Sequence, residues 1–151
     1  MMATRIKLQG FSLIELMVVV VILGILATIV IPKYHQYVLR ANRNEGIAVM
    51  DQLLHMEGRY FFSKKTYTLS LTTLGIDANA IQDGGLHTPE DRYVVSMQEC
   101  TTDAGKKVPL AQCVEAIAAP QGTQAEDNYG NLNNAGVMTW NTRGEKSGFD
   151  H

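Results

Sequence analysis

The sequence predicts an α+β fold in which one long N-terminal helix packs on a three- or four-stranded antiparallel sheet. Three observations predict it: an apolar run close to the amino terminus, helical spacing of apolar residues that continues past that run, and three short alternating segments nearer the carboxyl end. The whole-chain averages, 151 residues with 46% hydrophobic content and a net charge of −2, are ordinary and conceal this lopsided division. Arg5 and Lys7 precede the apolar run, so without residues 1–10 the charge falls to −4. Composition therefore supplies no broad basic footprint for nucleic acid. A single apolar segment excludes a multi-span transporter, and its presence argues against a purely cytoplasmic globular protein.

Residues 1–10 form a short, polar, positive leader ending in Gly10. The apolar stretch Phe11 to Ile31 is about 21 residues, which as a helix spans about 31 Å and can cross a bilayer core. No small-x-small triplet precedes Pro32-Lys33-Tyr34, so an ordinary secretory cleavage site is not indicated. Glu15 interrupts the apolar register, and a charge in a hydrocarbon-embedded helix costs about 2.5–3.5 kcal/mol on insertion scales. Two readings are open for it: a snorkelling carboxylate favoured by the start of the helix dipole, or one member of a pair. A cut between Gly10 and Phe11 would create an α-ammonium that Glu15 of the same or a neighbouring chain could neutralise. Between chains, such a pair would select the packing register, because any slip leaves two uncompensated charges in an apolar bundle.

The helical pattern continues through Ile47, Met50, Leu53, Leu54, Met56, Tyr60 and Phe61, with polar Asn44, Asp51, Gln52, His55 and Arg59 between them. An amphipathic half, residues 39–62, thus follows a membrane-competent half, residues 11–38. A continuous helix from Phe11 to Phe62 would measure about 78 Å. Gly24 weakens it by about 1 kcal/mol relative to alanine, and Pro32 removes the donor to the Thr28 carbonyl, so this stretch permits a kink.

Residues 63–151 form the head. The segment SKKTYTLSLTTLGIDANAIQDGG reads as a connection with Tyr67 and Leu69 as anchors and Gly75, Gly84 and Gly85 as turn formers. Strands are expected over Arg92–Glu99, Gln112–Ala119 and Gly136–Thr142. Cys100 and Cys113 flank the loop between the first two. In an exported head they are read as a disulfide, since two thiols without nearby histidines cannot fill a tetrahedral zinc shell. A closed loop of about 15 residues would contribute roughly 3 kcal/mol.

No catalytic constellation is present: there is no G-x-S-x-G, no Walker A and no H-E-x-x-H. His35, His55, His87 and His151 are scattered and read as surface histidines. Asp127, Asn128, Asn131, Asn133 and Asn134 lack EF-hand spacing and read as a polar turn rather than a calcium loop. Lys64-Lys65 and Lys106-Lys107 are short basic pairs on loops, solvated in the plain reading and a DNA contact in the sharper one. No cofactor, metal or enzymatic activity is expected.

The basic leader ending in Gly10, then Phe11, Glu15, a long apolar helix and Pro32, resembles the class III signal of type IV prepilins. GFSLIELMVVVVILGILATIVIPKY follows that family almost residue for residue, and weaker similarity continues to about Ile76. The helix exit YFFSKKTYTLSLTTLGI is close in character to minor pilins of the PilE kind. The resemblance implies the type IV pilin fold, cleavage after Gly10 by an inner-membrane prepilin peptidase, and N-methylation of Phe11. It implies an inner-membrane precursor that an assembly machine polymerises, with other pilins, into a cell-surface filament for adhesion, twitching motility or DNA uptake. It also implies loss of helix between Gly24 and Pro32 in the filament. The chain departs from many pilins in having no cysteine after Cys113, so its carboxyl end carries no stapled D-region. Two alternatives stand beside a scaffold subunit: a type II secretion pseudopilin, disfavoured by the missing acidic calcium loop, and a minor pilin specialised for DNA or receptor binding.

Overall fold

The computed structural model describes residues 11–127 and 136–149. The chain divides into two compact units, Met1–Tyr37 and Val38–His151. The helix α1 spans Leu13–Lys64, 52 residues. It starts after Ser12 because the Ser12 amide donates to Glu15 Oε2 at 2.9 Å, the reach-back bond of a capping box. It ends two residues later than Phe62. The Lys65 amide still donates to the Phe61 carbonyl at 2.9 Å while Lys65 takes a φ of 60°, a left-handed cap.

In the first unit every residue from Phe11 to His35 is exposed. A helix apolar on all sides belongs in a surrounding other than water, and α1 is long and apolar enough to cross a membrane. Helical structure runs through Gly24 and Pro32 without a break. The Thr28 hydroxyl donates to the Ile25 carbonyl at 2.7 Å within that stretch.

In the second unit α1 lies on a six-stranded antiparallel sheet whose strands follow chain order: β1 (Ile81–Gln82), β2 (Gly85–His87), β3 (Tyr93–Glu99), β4 (Val114–Pro120), β5 (Met138–Asn141) and β6 (Lys146–Ser147). The central ladder pairs Tyr93 with Pro120 through Glu99 with Val114. Tyr93, Val95, Met97, Val114, Ala116, Ala118 and Met138 form the core with Met50 and Leu53 of α1. Gly46 sets how closely helix and sheet approach, since a Cβ there would stand 2.8 Å from Met138 Cε and 3.1 Å from Tyr93 Cγ.

The three expected strands are β3, β4 and β5, with ends displaced by one or two residues: β3 starts one residue late, β4 starts two late and runs one further to Pro120, and β5 starts two late and stops one early. The Cys113 amide is taken by the Pro109 carbonyl at 3.3 Å, so β4 begins at Val114 rather than Gln112. Gly136, at φ 67°, turns the chain before β5. The sheet exceeds the expected three or four strands because β1, β2 and β6 are only two or three residues long, too short for alternation to reveal. Asp83 and Gly84, at φ 51° and 78°, form the tight turn between β1 and β2. In the connection, Tyr67 anchors as expected, stacked on Phe61 at 4.6 Å. Leu69 does not: it is exposed, and Leu71 is the leucine that enters the core.

Candidate functional site

At the start of α1, Phe11, Ile14, Glu15, Val18 and Val19 line a shallow apolar hollow. Phe11 is 80% exposed and offers its ring outward. One Glu15 oxygen serves the Ser12 amide, and among the described residues no cation pairs with the carboxylate. Gly10 lies outside the described residues. The end of the helix thus presents a carboxylate amid apolar surface, a group that demands a positive partner from elsewhere once water is withdrawn.

The face that α1 buries in the second unit runs Leu39, Arg43, Gly46, Met50, Leu53 and Glu57. Sequence periodicity located Met50 and Leu53 but not the polar members, because a hydrophobic pattern is blind to a charged residue at a core position; Ile47, Leu54, Met56, Tyr60 and Phe61 flank the stripe, half-buried. Arg43 forks onto Asp127, Nε to Oδ2 at 2.6 Å and Nη2 to Oδ1 at 2.8 Å, and its Nη1 donates to the Gly148 carbonyl at 3.0 Å. Gln124 Nε2 donates to the Leu39 carbonyl at 2.7 Å and to the Tyr93 hydroxyl at 2.9 Å. Burial pushes the Tyr93 phenol up to about 12, against the hydrogen bond from Gln124. This cluster fastens the 3-10 turn Gly122–Glu126 and the carboxyl end onto α1. Asp127 is consumed by Arg43, which removes the one carboxylate of the polar turn; Asn128, Asn131, Asn133 and Asn134 lie outside the described residues.

At the other end of the stripe, among the described residues, buried Glu57 accepts a hydrogen bond from the Thr68 amide to Oε2 at 3.2 Å, while Oε1 is buried without a hydrogen-bond partner. Desolvation raises its pKa from 4.5 to about 7, with the Thr68 bond opposing.

Cys100 and Cys113 are bonded, their Cα atoms 5.7 Å apart. The loop they close holds Lys106 and Lys107 at its exposed tip. Lys107 Nζ lies 2.6 Å from Glu99, which raises the ammonium pKa. The Tyr67 amide donates to the Leu110 carbonyl at 3.0 Å, so the loop bearing Lys106-Lys107 touches the segment that leaves α1 after Lys64-Lys65. A third basic position was not legible from sequence: Lys146 Nζ sits 3.8 Å above the Trp140 ring, with Phe149 edge-on to that ring at 5.9 Å.

The histidines stay apart. His35 is exposed, His55 lies 3.6 Å from Asp51, and His87 has Asp91 at Nδ1 and Asp83 at Nε2. Carboxylates on opposite ring nitrogens do not converge on one ion. Among the described residues no three His, Cys, Asp or Glu side chains form a metal-binding group, and His151 falls outside them.

Residues 7–31 match the family model of the prokaryotic N-terminal methylation motif. Directly after it, residues 32–133 match the model described as type IV minor pilin ComP, DNA uptake sequence receptor. The chain belongs to the ComP family of type IV minor pilins. Curated relatives include the type IV major fimbrial protein FimA of Dichelobacter nodosus, 51% identical over 45 residues, and a fimbrial protein of the same organism at the same identity and length. Each match covers 30% of this chain, and the chain spans 28% of the length of these relatives. The pilin-type helix and antiparallel sheet agree with the membership. A match running through the head to residue 133 favours a pilus subunit over a secretion pseudopilin.

Proposed function

We propose that this pilin is cleaved after Gly10, N-methylated on Phe11, held in the inner membrane as a precursor and polymerised with other pilins by the pilus assembly machinery into a surface filament, where its head binds DNA for uptake. It acts by assembly and binding, without catalysis. The observation that carries this reading is the succession of the methylation motif over residues 7–31 and the minor-pilin model over residues 32–133 in one chain. In the filament Glu15 pairs with the Phe11 ammonium of a neighbour and fixes the register, and the helix between Gly24 and Pro32 gives way as the fibre forms.

On the head, the junction between the stapled loop and the helix exit is the favoured DNA surface. Exposed lysines stand on both segments, and the disulfide and the Tyr67–Leu110 hydrogen bond hold these segments together. Only a few charges are engaged, so binding should be weak and should fall steeply with salt. The test is retention of labelled duplex DNA by the full chain in detergent at low salt. Lys64, Lys65 and Lys106 changed together to Gln should weaken retention and flatten its salt dependence; unchanged retention would exclude this surface, and no retention by the parent chain would exclude DNA binding itself.

A further inference from the structure

We propose that Glu57 is a proton-operated catch on the segment leaving α1, closed when its carboxyl is protonated and loosened as it ionises. The geometry is that of a hinge. Lys65 ends α1 in a left-handed turn, and residues 66–76 then fold back along the helix. Three described contacts hold the first part of that return: the Tyr67 ring on Phe61, the Tyr67 amide on the Leu110 carbonyl, and the Thr68 amide on Glu57 Oε2. The last rests on a carboxyl with no counter-ion among the described residues. Among these, one oxygen has a single amide donor and the other is buried and unpartnered.

The surroundings leave the proton as the economical remedy. Along α1, the buried neighbours on the same stripe are Leu53 and Met50, while Asp51, His55, Arg59 and Tyr60 point to half-buried or exposed faces. From the sheet, the residues packed on this stripe are Val95, Met97, Val114 and Ala116, all apolar. Tyr93 and Glu99 are the titratable residues that alternate with Val95 and Met97 along β3: the Tyr93 hydroxyl accepts from Gln124 near the opposite end of the stripe, and the Glu99 carboxylate is taken by Lys107 at 2.6 Å. From the returning segment come Lys65, exposed, and the Tyr67 phenol; from the stapled loop come Leu110 and the exposed pair Lys106 and Lys107, the latter on Glu99. None of these charges contributes to the raised pKa of Glu57, whose causes are burial and the Thr68 amide.

An ionised carboxylate in that position is stabilised by water, and water reaches it only if residues 66–69 lift. Closed, the group titrates near 7; open, it titrates at its ordinary 4.5. The closed form therefore binds more protons between those values, and the open fraction rises with pH across that window and levels above it.

The test is hydrogen exchange at the Tyr67 and Thr68 amides of the full chain in lipid nanodiscs, corrected for intrinsic exchange. Protection should fall by about tenfold per pH unit from about pH 5 to about pH 7 and then level. Glu57→Gln, a neutral isostere, should give pH-independent protection across the same range. A flat profile in the parent chain, or an unchanged slope in Glu57→Gln, would overturn the catch. Should the variant not fold, the 13C chemical shift of the Glu57 carboxyl in the parent decides independently: a midpoint near neutrality supports the catch, and one near 4.5 refutes it.

Discussion

Arg43 and Asp127 show how a single polar pair is placed inside a small core. Both are almost fully buried, and the guanidinium fork matches the carboxylate with two hydrogen bonds and spends a third on the Gly148 carbonyl. Arg43→Ala should therefore lower stability by about 3–5 kcal/mol by stranding Asp127, while Arg43→Met with Asp127→Leu should recover much of the loss. Thermal unfolding followed by circular dichroism, comparing the two variants with the parent, checks this. Glu57 makes the opposite case, a buried carboxyl whose Oε1 has no hydrogen-bond partner among the described residues. Its folded pKa lies above its unfolded one, so its stabilising share is complete below about 4.5 and is lost as pH rises through about 7. The whole swing is on the order of 3 kcal/mol. Denaturant midpoints measured across that range should decline with pH in the parent chain and decline less in Glu57→Gln. Neither residue was legible as core from the sequence. A helix face is recognised by its apolar members, and this one alternates Leu39, Met50 and Leu53 with an arginine, a glycine and a glutamate.

At the scale of elements, long periodic features were legible and short ones were not. Helix α1 kept its expected length with its ends displaced by two residues, because caps rather than periodicity decide where a helix stops. The Ser12-to-Glu15 capping box was present in the letters and would have located the start. Asp83-Gly84 likewise announces the β1–β2 hairpin, but the strands it joins are too short to show alternation on either side. The stapled loop was legible in full, since two cysteines at the facing ends of neighbouring strands leave one pairing. Cys100→Ser with Cys113→Ser should cost about 3 kcal/mol by the loop-entropy relation and should raise hydrogen exchange at Tyr67 as well, because Leu110 holds that amide. Loss of stability without any change at Tyr67 would show that the loop and the helix exit are independent.

For the whole molecule the proposal to test is the pairing of Glu15 with a neighbouring chain. Among the described residues of its own chain, Glu15 accepts from the Ser12 amide and has no cation beside it. A snorkelling residue would tolerate Glu15→Val without consequence. A residue paired with the Phe11 ammonium of a neighbour would leave that cation stranded in an apolar bundle, at about 3–5 kcal/mol per subunit. With Glu15→Val as the sole copy, membrane levels and cleavage should be normal while the protein disappears from sheared filaments; undiminished incorporation would remove Glu15 from the assembly mechanism. Intact mass should place the mature terminus at Phe11 with one added methyl group. The head is thus a body legible in outline from sequence, whereas its assembly is legible only from the motif at the other end of α1.

The carboxyl end of the head is secured by Arg43 where many pilins use a cysteine bridge, and the two kinds of fastening answer to different agents. A thiol reductant severs Cys100 from Cys113 and leaves the Arg43 grip on Asp127 and Gly148 intact. Chemical reduction consequently loosens one flank of this head and spares the other. Proteolysis under reducing conditions should cut first within residues 101–112, with the carboxyl end retained on the body.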